Sequence, residues 1–215
     1  MSLIKVSSMS SNNSVSTILF DLGGVLIELD GPPIKAHWIS TRLSHEQNWQ
    51  LWMSSTFVQR YETGAISSAD FVTGVIGELN LEVSEDDFKQ AFIQWPKELF
   101  AGASEMLMAL KSRYTLAFFS NTSALHLPRL LDELALADYF DHTYASYEIG
   151  FFKPDVHGFH YVVKDMRVEA ANVLFLDDNQ VNVDAARKAG LQAEKAHGLT
   201  EVKSVLSAYG CIREK

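Results

Sequence analysis

Three short apolar runs, each bounded by polar residues or glycine, constrain this chain more than any other feature. They are residues 16–20 (STILF), 114–120 (YTLAFFS) and 172–177 (NVLFLD). Runs so short and so uniformly apolar read as strands buried on both faces, the habit of a parallel sheet. A weaker run at 142–146 (HTYAS) adds a fourth strand, and 192–197 (QAEKAH), weaker still, reads as an edge strand. Between these runs the apolar residues change to helical spacing. Met106, Leu107 and Leu110 share a face, as do Leu127, Leu130, Leu131 and Leu134. Phe159, Val162, Val163 and Met166 follow Pro154, and Val183, Ala186 and Ala189 run up to Gly190 as a C-cap. Strand alternating with helix predicts an α/β fold, a parallel sheet with helices on both faces.

Residues 30–96 interrupt that alternation. No strand is expected there, but Ser44 with Gln47, Ser67 with Asp70 and Ser84 with Asp87 have the spacing of capping boxes. Each precedes a helical stripe: Trp49, Trp52 and Met53; Phe71, Val72, Val75, Ile76 and Leu79; Phe88, Ala91, Phe92 and Trp95. Pro96 stops the last one. The expected organisation is an α/β core made of 16–29 and 97–215, a helical insertion at 30–96 with its own apolar core, and a Ser/Asn-rich disordered leader at 1–15.

With 215 residues, the chain is long enough to bury roughly 70% of its unfolded surface. Its formal net charge of -9, with no run of Lys or Arg, speaks against nucleic acid as a partner. A single cysteine, Cys211, excludes a disulfide framework and a cysteine-rich zinc site. No apolar stretch approaches a membrane span and no signal peptide is recognisable, so a cytoplasmic location without membrane attachment is expected.

Polar groups fall where the strands end. Asp21 follows the first strand in FDLGGVL, Ser120 and Asn121 close the second in FFSNTS, Lys153 comes shortly after the third in GFFKPD, and Asp177 and Asp178 close the last long one in FLDDNQVN. Singly, each has an ordinary explanation as a turn, a helix cap or a solvated side chain. Together they form one functional set at the sheet edge where α/β folds bind ligands. Carboxylates among oxygen neighbours suit Mg²⁺. The hydroxyl, the amide and the lysine suit phosphate oxygens.

With these four motifs in this order, the chain resembles the haloacid dehalogenase superfamily over about residues 16–198. The resemblance implies a Rossmann-like core with a four-helix cap at 30–96, within which YETGAIS (61–67) is similar to a turn common in such caps. SNTSALH and DDNQVN look most like the sugar-1-phosphate phosphatases of the superfamily, glucose-1-phosphate phosphatase in particular. It also implies a phosphoric monoester hydrolase that dephosphorylates a small phosphorylated metabolite with Mg²⁺. In that mechanism Asp21 attacks phosphorus to give an aspartyl-phosphate. Asp21, the backbone carbonyl of Gly23 and Asp178 hold the metal, Ser120 and the amide of Asn121 grip the phosphoryl group, and Lys153 pairs with nucleophile and phosphate. Asp177 stands beside the metal or its water shell, and Asn182 takes a place where many members carry an acid.

One departure matters. Most phosphatases of this kind have a second Asp two residues after the nucleophile, as proton donor to the leaving oxygen. Here that residue is Gly23. General acid–base help is worth about 10²–10⁴-fold, so its absence favours a sugar 1-phosphate, whose anomeric leaving oxygen is more acidic than a plain alcohol. His126 is a candidate substitute acid or substrate contact, against the ordinary reading of a helix-surface histidine. Two other readings are a catalytically weak relative that binds a phosphorylated ligand or partner, and a haloacid dehalogenase, which would carry Tyr in place of Gly23.

Overall fold

In the computed structural model, which describes residues 15–212, the strands of the core form one parallel sheet. Most of the leader expected at 1–15 lies outside the described residues. Strand β1 (Thr17–Phe20) leads through a tight turn into β2 (Ile27–Leu29). Four helices follow: α1 (His45–Ser54), α2 (Thr56–Glu62), α3 (Ser68–Glu78) and α4 (Glu85–Ile93). The chain returns through β3 (Pro96–Leu99) to α5 (Ala103–Lys111), β4 (Thr115–Ser120), β5 (His142–Ala145), the single turn α6 (Ser146–Ile149) and α7 (Val156–Met166). Strand β6 (Val173–Asp177), helix α8 (Gln180–Lys188), strand β7 (Gln192–Lys195) and helix α9 (Gly198–Ala208) complete it. The sheet order is β5-β4-β1-β6-β7.

The two-residue period of the strands builds two cores. Ile18, Phe20, Leu116, Phe118, Leu174 and Leu176 face one side, under α5 and α9. Leu19, Ala117, Phe119, Val173 and Phe175 face the other, under α7 and α8. All of these side chains are fully buried, which is why the three strands read as unbroken apolar runs. The chain passes from β1 to β4 on one side, and β6, reached later from β5, lies on the other. That reversal opens a crevice at the C-terminal end of β1, the place where such sheets bind ligands.

Helices α1–α4 pack around a core of their own, including Trp38, Trp52, Phe71, Phe88, Phe92 and Trp95. Ser44, Ser67 and Ser84 each cap a helix by accepting from the backbone N–H three residues on, and Ser44 with Gln47 closes a full capping box. The first stripe, Trp49, Trp52 and Met53, lies within α1; Ser55, with extended backbone, ends that helix and caps a further one, α2, that no stripe or capping box had marked.

Two other expectations need correcting. Residues 96–99 do not simply end a helix; they pair antiparallel with 27–29 to form a two-stranded ribbon carrying the inserted helices. Strands of three and four residues are too short for a sequence pattern to register, and Pro96 is tolerated because it opens the strand. The leucine stripe at 127–134 is not a regular helix either. It is one wide turn, Arg129–Glu133, behind Pro128, with the Arg129 Nε bonded to the Pro96 carbonyl at 2.7 Å. Among the described residues no helix is long and apolar enough to cross a membrane.

Phe175 joins core and site: it meets Phe159 edge-on at 5.1 Å, and its ring lies 5.3 Å below the Lys153 ammonium. Phe175→Ala should lower stability by about 3–5 kcal/mol in urea denaturation. A loss below about 1 kcal/mol would mean that the sheet does not depend on this packing.

Candidate active site

Asp21 is the first residue beyond β1. Its N–H donates to the Leu176 carbonyl at 2.8 Å, so it emerges beside the end of β6, where Asp177 stands. Lys153 reaches the same point from the loop after α6. Its Nζ is 3.0 Å from Asp21 Oδ1 and 2.6 Å from Asp177 Oδ2, and only 1% of the side chain is exposed. Burial works against the ammonium, but Asp177 and Asp21 outweigh it and hold the Lys153 pKa above the usual range. An ion this deep is tolerable only because both partners are in place.

Asp177 has little left to offer beyond that pair. Its Oδ1 accepts the Asn179 N–H at 2.8 Å and the Asn182 side-chain amide at 3.1 Å. Asn182 therefore supports Asp177 from behind. The Asn121 side chain clasps the Lys153 backbone twice, accepting its N–H at 2.7 Å and donating to its carbonyl at 2.9 Å. The loop after β4 thereby fixes the loop that delivers the lysine. Ser120, at the end of β4, is buried, and no partner for its Oγ is found among the described residues.

Asp178 lies across from this network. Gly24 packs so closely that a Cβ there would overlap the Asp178 carboxyl, and its φ of +72° suits glycine alone. The His197 Nδ1 is 3.4 Å from Asp178 Oδ2. Gly23 makes no such demand on the backbone: a Cβ there would touch only the Leu29 side chain, at 3.2 Å.

One ligand oxygen each from Asp21, Asp177 and Asp178 falls within 4.8 Å of the others. Burial, then Asp177 and Asp178, push the Asp21 carboxyl up, against the pull of Lys153, to about 7. Burial and Asp177 also raise Asp178. Three carboxylates around one ammonium leave negative charge uncompensated, and an all-oxygen donor set of this kind fits a hard divalent cation.

The structure places His126 elsewhere. Its ring lies against Phe92 at 4.1 Å, and its Nε2–H donates to the Phe92 carbonyl at 2.6 Å. Burial lowers its pKa to about 4, so it is a neutral clamp between core and insert. A nitrogen committed to a carbonyl is not available as the substitute acid.

A model of haloacid dehalogenase-like hydrolases matches residues 15–190. The chain belongs to that family. It is 25% identical to D-ribitol-5-phosphate phosphatase of Bacteroides thetaiotaomicron, over 83% of this chain and 90% of the relative. It is 29% identical to the sesquiterpene phosphatase astK of Aspergillus oryzae, over 80% and 85% of the two chains. A haloacid dehalogenase family enzyme of B. thetaiotaomicron, solved with magnesium and inorganic phosphate, shares the fold with a TM-score of 0.70 at 24% identity, over 86% of this chain and 95% of that one. With phosphatases among its relatives, this haloacid dehalogenase-like hydrolase is a phosphoric monoester hydrolase.

Two residues near the site were not picked out in the sequence. His197 gives no signal, because its place beside Asp178 comes from the β6–β7 pairing. Glu62 had one: with Val58 and Tyr61 it falls on the buried face of α2, where an acid is out of place. Burial and then Asp21 raise its pKa to about 8, against Lys153.

Without metal, Lys153→Met should cost about 3–5 kcal/mol, because it strands two buried carboxylates. The deficit should grow from pH 5 to pH 8. Asp21 binds its proton more tightly folded than unfolded, so its ionisation costs stability as pH rises from its ordinary value toward about 7, and losing Lys153 makes that anion costlier. Urea denaturation in EDTA checks this, and an equal deficit at both pH values would contradict it.

Proposed function

We propose that this chain is a Mg²⁺-dependent phosphatase of a small phosphorylated metabolite that works through an aspartyl-phosphate on Asp21. The observation carrying this reading is the cluster of Asp21, Asp177 and Asp178 around a single buried ammonium. Asp21, the Gly23 carbonyl and Asp178 would hold Mg²⁺, which supplies charge neutralisation at the phosphoryl group. Asp177 takes the other task, holding Lys153, since its oxygens are already engaged.

The protein's own groups then divide the work. Ser120 Oγ and the Asn121 amide receive the phosphoryl oxygens. Lys153 offsets repulsion between the Asp21 carboxylate and the incoming phosphate. Asp21 attacks phosphorus, the ester bond breaks, and water later releases phosphate from the carboxyl. The helices of 30–96 act as a cap over this edge of the core.

Among metabolites, a sugar phosphate is the preferred class, and a sugar 1-phosphate makes the smallest demand for proton donation. A panel of phosphorylated sugars and sugar alcohols, assayed with Mg²⁺ and with EDTA, tests the reading. Phosphate release should require Mg²⁺, with a hexose 1-phosphate ahead of the 6-phosphate of the same sugar. Asp178→Asn should need far more Mg²⁺ for half-maximal rate than Asp177→Asn. Turnover that ignores EDTA would overturn the metal assignment, and the reverse order of the two variants would exchange their roles.

A further inference from the structure

Gly23 leaves the core without a proton donor for the leaving oxygen, and His126 is committed elsewhere. In an in-line displacement the leaving oxygen lies on the side of phosphorus away from Asp21. With no acid at position 23, the inserted helices are the next place to look for a donor. Glu62, the last residue of α2, is 5% exposed, and no hydrogen-bond or ion-pair partner is found for its carboxyl among the described residues. A carboxyl uncommitted within the protein is free to meet a ligand. It lies close enough to Asp21 and Lys153 to feel the charge of both.

The local fold holds it there. Tyr61 stacks on Phe71 at 4.2 Å, and its hydroxyl meets Ser68 Oγ at 2.8 Å. Two residues beyond Glu62, Gly64 has φ +74°, and a Cβ there would collide with the Tyr147 carbonyl of α6. The end of α2 therefore rests directly on the core, beside the loop that carries Lys153. The turn YETGAIS sets Glu62 against the site.

We infer that Glu62 is the general acid of this phosphatase, a carboxyl supplied by the inserted helices in place of the one missing at position 23. This rests on the proposed aspartyl-phosphate mechanism. In the first step an Asp21 oxygen bonds to phosphorus, the ester P–O bond breaks, and its electron pair takes the Glu62 proton to give the free alcohol. In the second step the Glu62 carboxylate takes a proton from water as the water oxygen bonds to phosphorus. The bond to Asp21 then breaks, restoring both carboxyl groups and releasing inorganic phosphate.

The test is leaving-group dependence in wild type, Glu62→Gln and Glu62→Asp, with dinitrophenyl phosphate at one end of the series and glycerol phosphate at the other. Dinitrophenolate leaves without a proton, and an alkoxide does not. Wild type should show a shallower slope than Glu62→Gln. In Glu62→Gln, kcat/KM for glycerol phosphate should fall by about 10²-fold or more, while dinitrophenyl phosphate stays within a few-fold of wild type. Glu62→Asp, which keeps the acid on a shorter arm, should fall between the two and decides the matter if the Gln variant does not fold. Equal losses for both esters, or an unchanged slope, would overturn the assignment. Failure of wild type to turn over dinitrophenyl phosphate with Mg²⁺ would instead break the underlying phosphatase reading.

Discussion

The Lys153 ammonium, buried between Asp21 and Asp177, is the interaction on which the site depends. A lysine at 1% exposure is unfavourable alone, and each carboxylate would be unfavourable without it. The three are therefore held together or not at all. Their supports extend into separate parts of the fold: Asn121 fixes the lysine's backbone, Asn179 and Asn182 fix Asp177, and Phe119 and Phe175 lie under the ammonium at 5.6 and 5.3 Å. Loops after four strands are locked to one charge. The parallel sheet sets their positions, and the ion triad sets their side chains.

That arrangement leaves Asp21 with one oxygen in an ion pair and the carboxyl still partly accessible, at 13% exposure. The proposed role of Asp21 as nucleophile needs both properties: a fixed direction and an approach for phosphorus. The ribbon formed by β2 and β3 begins six residues after Asp21, so the loop carrying Asp21 is continuous with the stalk of the inserted helices. His126 and Arg129 hold the other end by bonding the Phe92 and Pro96 carbonyls. Glu62 is thus delivered from a unit tied to the core on both sides.

The sheet was legible because its three central strands are buried on both faces and carry no alternation to confuse them with surface strands. The cluster at its edge was legible because Asp21, Ser120, Lys153, Asp177 and Asp178 each lie at or beyond a strand end. What sequence could not register was whatever depends on short or non-local pairing. The β2–β3 ribbon is too brief for a period, and the seven-residue α2 behind Ser55 is too short to show a stripe of its own. His126 sits at a plausible distance along the chain from Asn121, but its partner is a backbone carbonyl 34 residues away. Glu62 was visible only to periodicity, as a charge on an apolar helical face.

The central claim is that Asp21 carries the phosphoryl group. Rapid acid quench during a single turnover, followed by peptide mass spectrometry, reads this directly. A phosphoryl adduct should appear on the peptide containing Asp21 and vanish in Asp21→Asn, whose turnover should fall by a factor on the order of 10⁴ or more. The account would be contradicted if no adduct formed while phosphate was released at the full rate, with the Asn variant retaining more than about a hundredth of the activity.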